Sequence, residues 1–322
     1  MTHYEHMDLA QASSPNRSGV LRIDRMAVTV ANLKAAQTFY IEALGFHMTA
    51  VETIAGEAFA ALTGLAAPRA RLAVMQLGAQ ILELTEFADP GRPYPEPRAA
   101  NDPWFQHFAI AVSDMDQAFA ELSRFGAEPI SHGGPQRLPP STGDVTAYKF
   151  RDPDGHPLEL SHAPQNHWAT DAASTGPATL GLDHSALAVA DLDASLRFYT
   201  EGLGLRLGPR ALNQGPEQAR LDGLDDPKVD ILTLTTADSG PHLELLHYRQ
   251  PRSAAPPLWP GMNDIAAARL VMRTQALDQV VERAIAAGGA RISTRIVETA
   301  SGRRVLLRDP DGHILDLISP ID

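Results

Sequence analysis

The chain has 322 residues, a formal net charge of −12, 44% hydrophobic and 20% charged residues, and no cysteine. Such a length supports two domains with real cores, and the composition is that of a globular chain rather than a disordered one. The acidic balance argues against nucleic acid as a partner, and the lack of cysteine removes disulfides, thiolate ligands and a thiol nucleophile, leaving His and carboxylate as the strong metal ligands.

Residues 1–20 read as a mobile polar leader without the basic start and apolar stretch of a signal peptide; His3 and His6 there read as solvated tail residues. No apolar run approaches the length needed to cross a bilayer, so no membrane partner and a cytoplasmic location are expected. From Ile23 the segment IDRMAVTVANLKAAQTFYIEALGF predicts an alternating strand, a polar turn, an amphipathic helix with a Phe39-Tyr40 pair, and a stop at Gly45, which suits a left-handed C-cap. This opens a first module, 21–90, which closes on a strand where Leu82 and Leu84 flank Glu83. A connector rich in Pro and Gly leads to a second module, 103–163, with QHFAIAVSDMDQAFAELSRFGAEPI at its start and RDPDGHPLEL near its end. After a linker at 164–179, LDHSALAVADLDASLRFYTEGLGL repeats the first pattern, with Phe198-Tyr199 and Gly204, and begins a third module, 180–249. ARLVMRTQALDQVVERAIAAGGARI and RDPDGHILDL bound a fourth, 264–320. Asp-Pro-Asp-Gly between apolar runs predicts a hairpin, and His156 and His313 within those motifs read as turn residues. The helix Phe-Tyr pairs read as packing.

The chain is therefore a repeat of β-α-β-β-β modules, in two domains, 21–163 and 180–320. A single module cannot cover its own sheet, so modules must pair. The expected class is α+β: four modules paired into two cup-shaped mixed sheets with helices on the outer faces. Alternation sets the register. Phe108, Ile110 and Val112 face the helix, while His107, Ala109 and Ala111 face away. His184, Ala186 and Ala188 likewise oppose Leu187 and Val189. Glu159, Glu244, Glu83 and Asp316 each sit between two leucines and so point into a cup. The first-strand position holds Arg25, His107, His184 and Arg269 in modules one to four.

Charge balance chooses the pairing. If modules two and three pair, one cup holds two neutral imidazoles and two carboxylates, which a divalent ion neutralises; modules one and four then hold two guanidiniums and two carboxylates, balanced without metal. Sequential pairing would set a guanidinium beside a cation in each cup. The inner pairing is expected, with one metal site built from His107, Glu159, His184 and Glu244.

These strands and the closing RDPDGHxLEL resemble the vicinal oxygen chelate superfamily, which includes glyoxalase I, epimerases, resistance proteins and extradiol dioxygenases. The resemblance covers nearly the whole chain after the leader, so the two domains become two glyoxalase-like domains. It implies ligands on the first and last strands of paired modules: His107 and Glu159 with His184 and Glu244. It also implies that the outer cup, with Arg25 and Arg269 at the ligand positions, has lost its metal. Two His and two Glu leave two open positions on a six-coordinate ion, for adjacent substrate oxygens. Metal Lewis acidity with Glu244 or Glu159 as base would give glyoxalase-like lyase or isomerase chemistry on a small molecule. An Fe(II) ring-cleaving dioxygenase needs only His107, His184 and Glu159. A small-molecule binding or resistance protein is a third reading, which the full ligand set weighs against. Fe, Mn, Ni, Co and Zn all suit this donor set, and the chain is expected to be a monomer or homodimer. Further substrate-binding candidates are Trp104 and Gln106 before His107, Arg137 in a Pro-Gly loop, Tyr148 on the strand feeding a hairpin, and Asn213 and Gln218 in a polar irregular stretch.

Overall fold

The computed structural model describes residues 18–164 and 178–321. The expected leader at 1–20 and linker at 164–179 lie almost wholly outside the described residues. Module one comprises β1 (Val20–Thr29), α1 (Leu33–Leu44), β2 (His47–Ala55), α2 (Glu57–Thr63), β3 (Arg69–Leu77) and β4 (Gln80–Phe87). Module two has β5 (Gln106–Val112), α3 (Met115–Leu122), β6 (Glu128–Pro129), β7 (Gln136–Arg137), β8 (Thr146–Arg151) and β9 (Pro157–His162). Module three has β10 (Thr179–Ala188), α4 (Leu192–Arg197), β11 (Arg206–Gln214), α5 (Pro216–Asp222), β12 (Lys228–Thr235) and β13 (His242–Gln250). Module four has β14 (Ala268–Thr274), α6 (Leu277–Ala286), β15 (Ala290–Arg291), β16 (Val297–Thr299), β17 (Gly302–Arg308) and β18 (Ile314–Ser319).

The polar turn after each opening strand is a helix cap. Asn32, Asp114 and Asp191 accept hydrogen bonds from the backbone N–H three residues on, satisfying a donor that the first helical turn leaves free. At the far end of α1, Gly45 has φ 74°, where its N–H reaches the Ile41 carbonyl at 3.2 Å.

Strand pairing follows the charge argument. β1 runs antiparallel to β14, so modules one and four share one sheet; β5 runs antiparallel to β10, so modules two and three share the other. The orders are β15-β17-β18-β14-β1-β4-β3-β2 and β11-β12-β13-β10-β5-β9-β8-β6. The opening strand of each module lies parallel to its closing strand, which makes both sheets mixed. Each sheet thus draws one module from each half of the sequence. The leucines flanking the four acids all enter one large core with Phe39, Tyr40, Phe198 and Tyr199 on the helical side of the sheets.

The halves are also tied internally. Tyr40 Oη donates to Asp152 at 2.9 Å, and Tyr199 Oη donates to Asp309 at 2.9 Å. His156 Nε2 lies 2.9 Å from the Thr29 carbonyl, and His313 Nε2 lies 2.8 Å from that of Ala188. These two histidines are more than turn residues: both are buried and join successive modules. The Phe-Tyr pairs likewise do more than pack, because each tyrosine hydroxyl meets the first Asp of an Asp-Pro-Asp-Gly turn.

Two short helices were not anticipated. The stretch around Asn213 read as irregular, yet α5 forms with Pro216 in its first turn and buries Gln218, Leu221 and Asp222. With α2, its counterpart in module one, it lines a cup rather than an outer face. Seven residues are too few for a periodic signal, so tertiary contacts carry both helices.

Candidate metal centre

The inner sheet places its functional side chains by register. His107 on β5 lies opposite Ala186, and His184 on β10 lies opposite Ala109. The small partners leave room for the rings, whose centroids are 5.7 Å apart. Glu159 on β9 pairs with Ala109, and Glu244 on β13 pairs with Ala186. The result has an approximate two-fold relation: His107 Nε2 is 3.5 Å from Glu159 Oε2, and His184 Nε2 is 3.7 Å from Glu244 Oε2. The ligand atoms of His107, Glu159 and His184 all lie within 4.8 Å of one another. Glu244 meets this group at His184. All four line a cavity of about 450 Å³.

The electrostatics are uneven across that relation. Burial, together with Lys149 and His184, holds the His107 imidazole well below its ordinary value. Neither of its ring nitrogens has a hydrogen-bond partner among the described residues, although both are buried. Burial would also lower His184, but Glu244 and Asp183 outweigh it and bring the ring to about 9. Burial raises the Glu159 carboxyl, with Lys149 limiting the rise. At Glu244 burial is overcome by His184 and His242, and the carboxyl falls below the usual range. A buried imidazole without a hydrogen bond among the described residues, beside a second imidazole and two carboxylates, is a donor set that fits a divalent ion.

Four residues around this set escaped the sequence reading. Asp183 Oδ2 is 3.0 Å from His184 Nδ1, and His242 Nε2 is 3.5 Å from Glu244 Oε1. Lys149 Nζ lies 3.9 Å from Glu159 Oε2 and donates to Asp222 Oδ1 at 2.7 Å. Burial opposes its charge, but Asp222 and Glu159 hold the ammonium above its ordinary value. Asp222 also accepts from Gln218 Nε2 at 2.7 Å and Tyr248 Oη at 3.1 Å, so α5 is clamped to β8 and β13. Lys149 and His242 were findable, since the alternation that located the acids puts Lys149 between Tyr148 and Phe150, and His242 two residues before Glu244. The Lys149–Asp222 pair adds no net charge, whereas Asp183 adds a third carboxylate to the cup.

The outer sheet presents the same registers with different chemistry. Arg25 Nε lies 2.6 Å from Glu83 Oε1, and Arg269 Nη2 lies 3.8 Å from Glu83 Oε2. Arg304 pairs with Asp316. Imidazole is replaced by guanidinium, and the carboxylates are neutralised within the protein.

The profile of the Glyoxalase/Bleomycin resistance protein/Dioxygenase superfamily matches residues 22–160 and 181–317. The chain belongs to this superfamily. Among its relatives is a 2-epi-5-epi-valiolone epimerase from Actinomyces sp, 34% identical over 153 residues, covering 45% of this chain and 81% of that protein. A lactoylglutathione lyase of Arabidopsis thaliana is 30% identical over 103 residues, covering 32% of this chain and 31% of that enzyme, so the match spans less than a third of the plant protein. A glyoxalase I variant from Zea mays shares the fold with a TM-score of 0.61 at 19% identity, over 92% of this chain and 93% of that one. A candidate dioxygenase from Bacillus subtilis does so with a TM-score of 0.58 at 14% identity, over 95% and 87%. The superfamily includes metal-dependent enzymes acting on small molecules, and the inner cup carries His and carboxylate groups that could hold an ion. Among the described residues no helix is long and apolar enough to cross a membrane.

Of the expected substrate residues in this superfamily member, only Asn213 and Gln218 line the inner cavity, where Asn213 Nδ2 donates to Gln218 Oε1 at 3.1 Å. The other four lie elsewhere. Trp104 packs with Tyr94, Ile265 and Ala266 beneath the connectors. Gln106 precedes His107 by one residue, so the pleat turns it to the opposite face, 3.5 Å from Ser185 Oγ. Arg137 is exposed and pairs with Asp144 at 2.8 Å. Tyr148 faces the helical side, with its ring centroid 4.7 Å from that of Phe119.

Proposed function

We propose that the protein is a divalent-metal enzyme that moves a proton at a carbon beside a carbonyl, isomerising or cleaving a small molecule held through two adjacent oxygens. The observation that carries this reading is the near two-fold set of His107, Glu159, His184 and Glu244, with the His107 ring nitrogens buried and without a hydrogen bond among the described residues. We assign these four residues to the ion, which when bound supplies Lewis acidity toward the substrate oxygens. One of the two carboxylates, Glu159 or Glu244, once displaced from the ion, would take the proton from the carbon and return it. Lys149 offers a fixed positive charge to a substrate oxygen, and Asn213 and Gln218 orient polar substituents. The likeness to an epimerase over 81% of that protein's length supports the isomerase form.

The test is proton exchange in D2O, read by NMR, with 2-epi-5-epi-valiolone as the first probe and each divalent metal restored in turn. Metal-dependent loss of a proton beside the carbonyl is expected in the wild type, with none in Glu159→Gln/Glu244→Gln. Exchange that persists in the double variant would remove the two carboxylates from the chemistry.

A second reading rests on the mutual proximity of His107, Glu159 and His184, a two-His, one-carboxylate set that suits Fe(II) and dioxygen. In that case Glu244 supports His184 and the reaction is ring cleavage. Oxygen uptake with Fe(II) and catechols or hydroquinones, without proton exchange, would favour it over the first.

A further inference from the structure

The outer cup is not filled by its ion pairs. It holds a cavity of about 370 Å³ whose floor carries Arg269, Glu83, Arg304 and Asp316. Its walls include Phe59, Phe87 and Leu306, and α2 forms one side. Arg269 donates from Nη2 to Thr85 Oγ1 at 3.0 Å. Its Nη1 is buried without a hydrogen-bond partner among the described residues, and so is Glu83 Oε2. Both side chains are only 6% exposed. A buried guanidinium donor and a buried carboxylate acceptor left open beside a cavity ask for a partner from within it.

We propose that the outer cup is a second small-molecule site, which takes an uncharged ligand presenting an acceptor beside a donor, of carboxamide type, on an apolar body. The acceptor meets Arg269 Nη1, the donor meets Glu83 Oε2, and the body lies against Phe59, Phe87 and Leu306. Charge selects against ions. Arg25, Arg269 and Arg304 are balanced by Glu83, Asp316 and Asp24, the last paired with Arg25 at 3.0 Å, while Glu52 and Glu298 add negative charge at the exposed rim. An anion would meet that negative surplus, and an ammonium has no acceptor to offer Arg269 Nη1. Apolar walls around a few polar atoms are the usual make-up of a ligand pocket.

The experiment is a ligand-detected NMR titration of the full chain with three similarly shaped probes: benzamide, benzoate and benzylamine. Benzamide is expected to bind at least about tenfold more tightly than either ion, because only it satisfies both open groups. Ala58→Phe, on the half-buried face of α2 that lines the outer cavity, is expected to abolish that binding while leaving the inner cup intact. Arg269→Met is expected to weaken benzamide by a similar tenfold factor; should it fail to fold, Ala58→Phe still decides the location. Binding of none of the three probes would overturn the proposal, as would benzoate or benzylamine matching benzamide, or benzamide affinity unchanged in Ala58→Phe.

Discussion

Asp183 Oδ2 accepts a hydrogen bond from His184 Nδ1 at 3.0 Å, and the register of β10 against β5 shifts between Leu182 and His184. The bulge is what brings two successive residues to one site, since an unbroken pleat would send them to opposite faces. The same shift occurs in β1 between Ile23 and Arg25, where Asp24 accepts from Arg25 at 3.0 Å. Each half therefore carries an aspartate that fixes the side chain at the ligand position, imidazole in one cup and guanidinium in the other.

By fixing the Nδ1–H tautomer, Asp183 leaves His184 Nε2 to face Glu244 and the cavity. Asp183→Asn is expected to weaken divalent-metal affinity by about 10- to 100-fold with the fold retained. A competitive chelator titration, with circular dichroism to confirm the fold, measures this.

His184 also sets a pH dependence. In the metal-free protein its pKa is raised to about 9 from an ordinary 6.5. A group raised on folding stabilises through its protonated form, so that contribution is full below about pH 6.5 and disappears as pH climbs through about 9. Urea midpoints of metal-free protein should therefore fall between pH 6.5 and 9. A bound ion requires neutral imidazole, so saturating metal should flatten or reverse that slope.

Lys149 and Asp222 join modules two and three beneath the site. Among the described residues, Lys149→Met leaves the buried Asp222 carboxylate with Gln218 and Tyr248 as its side-chain donors. Breaking a buried pair from one side costs about 3–5 kcal/mol, which equilibrium urea unfolding would register. A change below about 1 kcal/mol would mean that water reaches the pair.

Tyr40→Phe and Tyr199→Phe each remove one buried hydrogen bond to an aspartate of an Asp-Pro-Asp-Gly turn. Each is expected to destabilise by about 1–3 kcal/mol without changing metal content. Because the two bonds lie in different halves and share no partner, the double variant should be close to additive.

Most of the fold, and the convergence of the four candidate ligands in one cup, were legible because both rest on period-two alternation repeated in every module. Alternation placed Glu159 and Glu244 opposite their leucines, and charge balance then paired His107 with His184 across the middle of the chain. What was not legible lies where alternation breaks or was not applied. The bulge puts Asp183 beside His184 when simple pleating would turn it away. Asp222 reaches Lys149 from a seven-residue helix too short to announce itself. Trp104 and Arg137 were chosen for their chemistry near the site in sequence, but loops carry no register, and both lie outside the cavity.

The central claim is one metal site in the inner cup. Elemental analysis of the untagged chain, wild type beside His107→Ala/His184→Ala, addresses it most directly. The expected result is one divalent ion per wild-type chain and none in the variant. Equal metal content in the two proteins, or a wild type that binds no divalent ion when saturated, would contradict it.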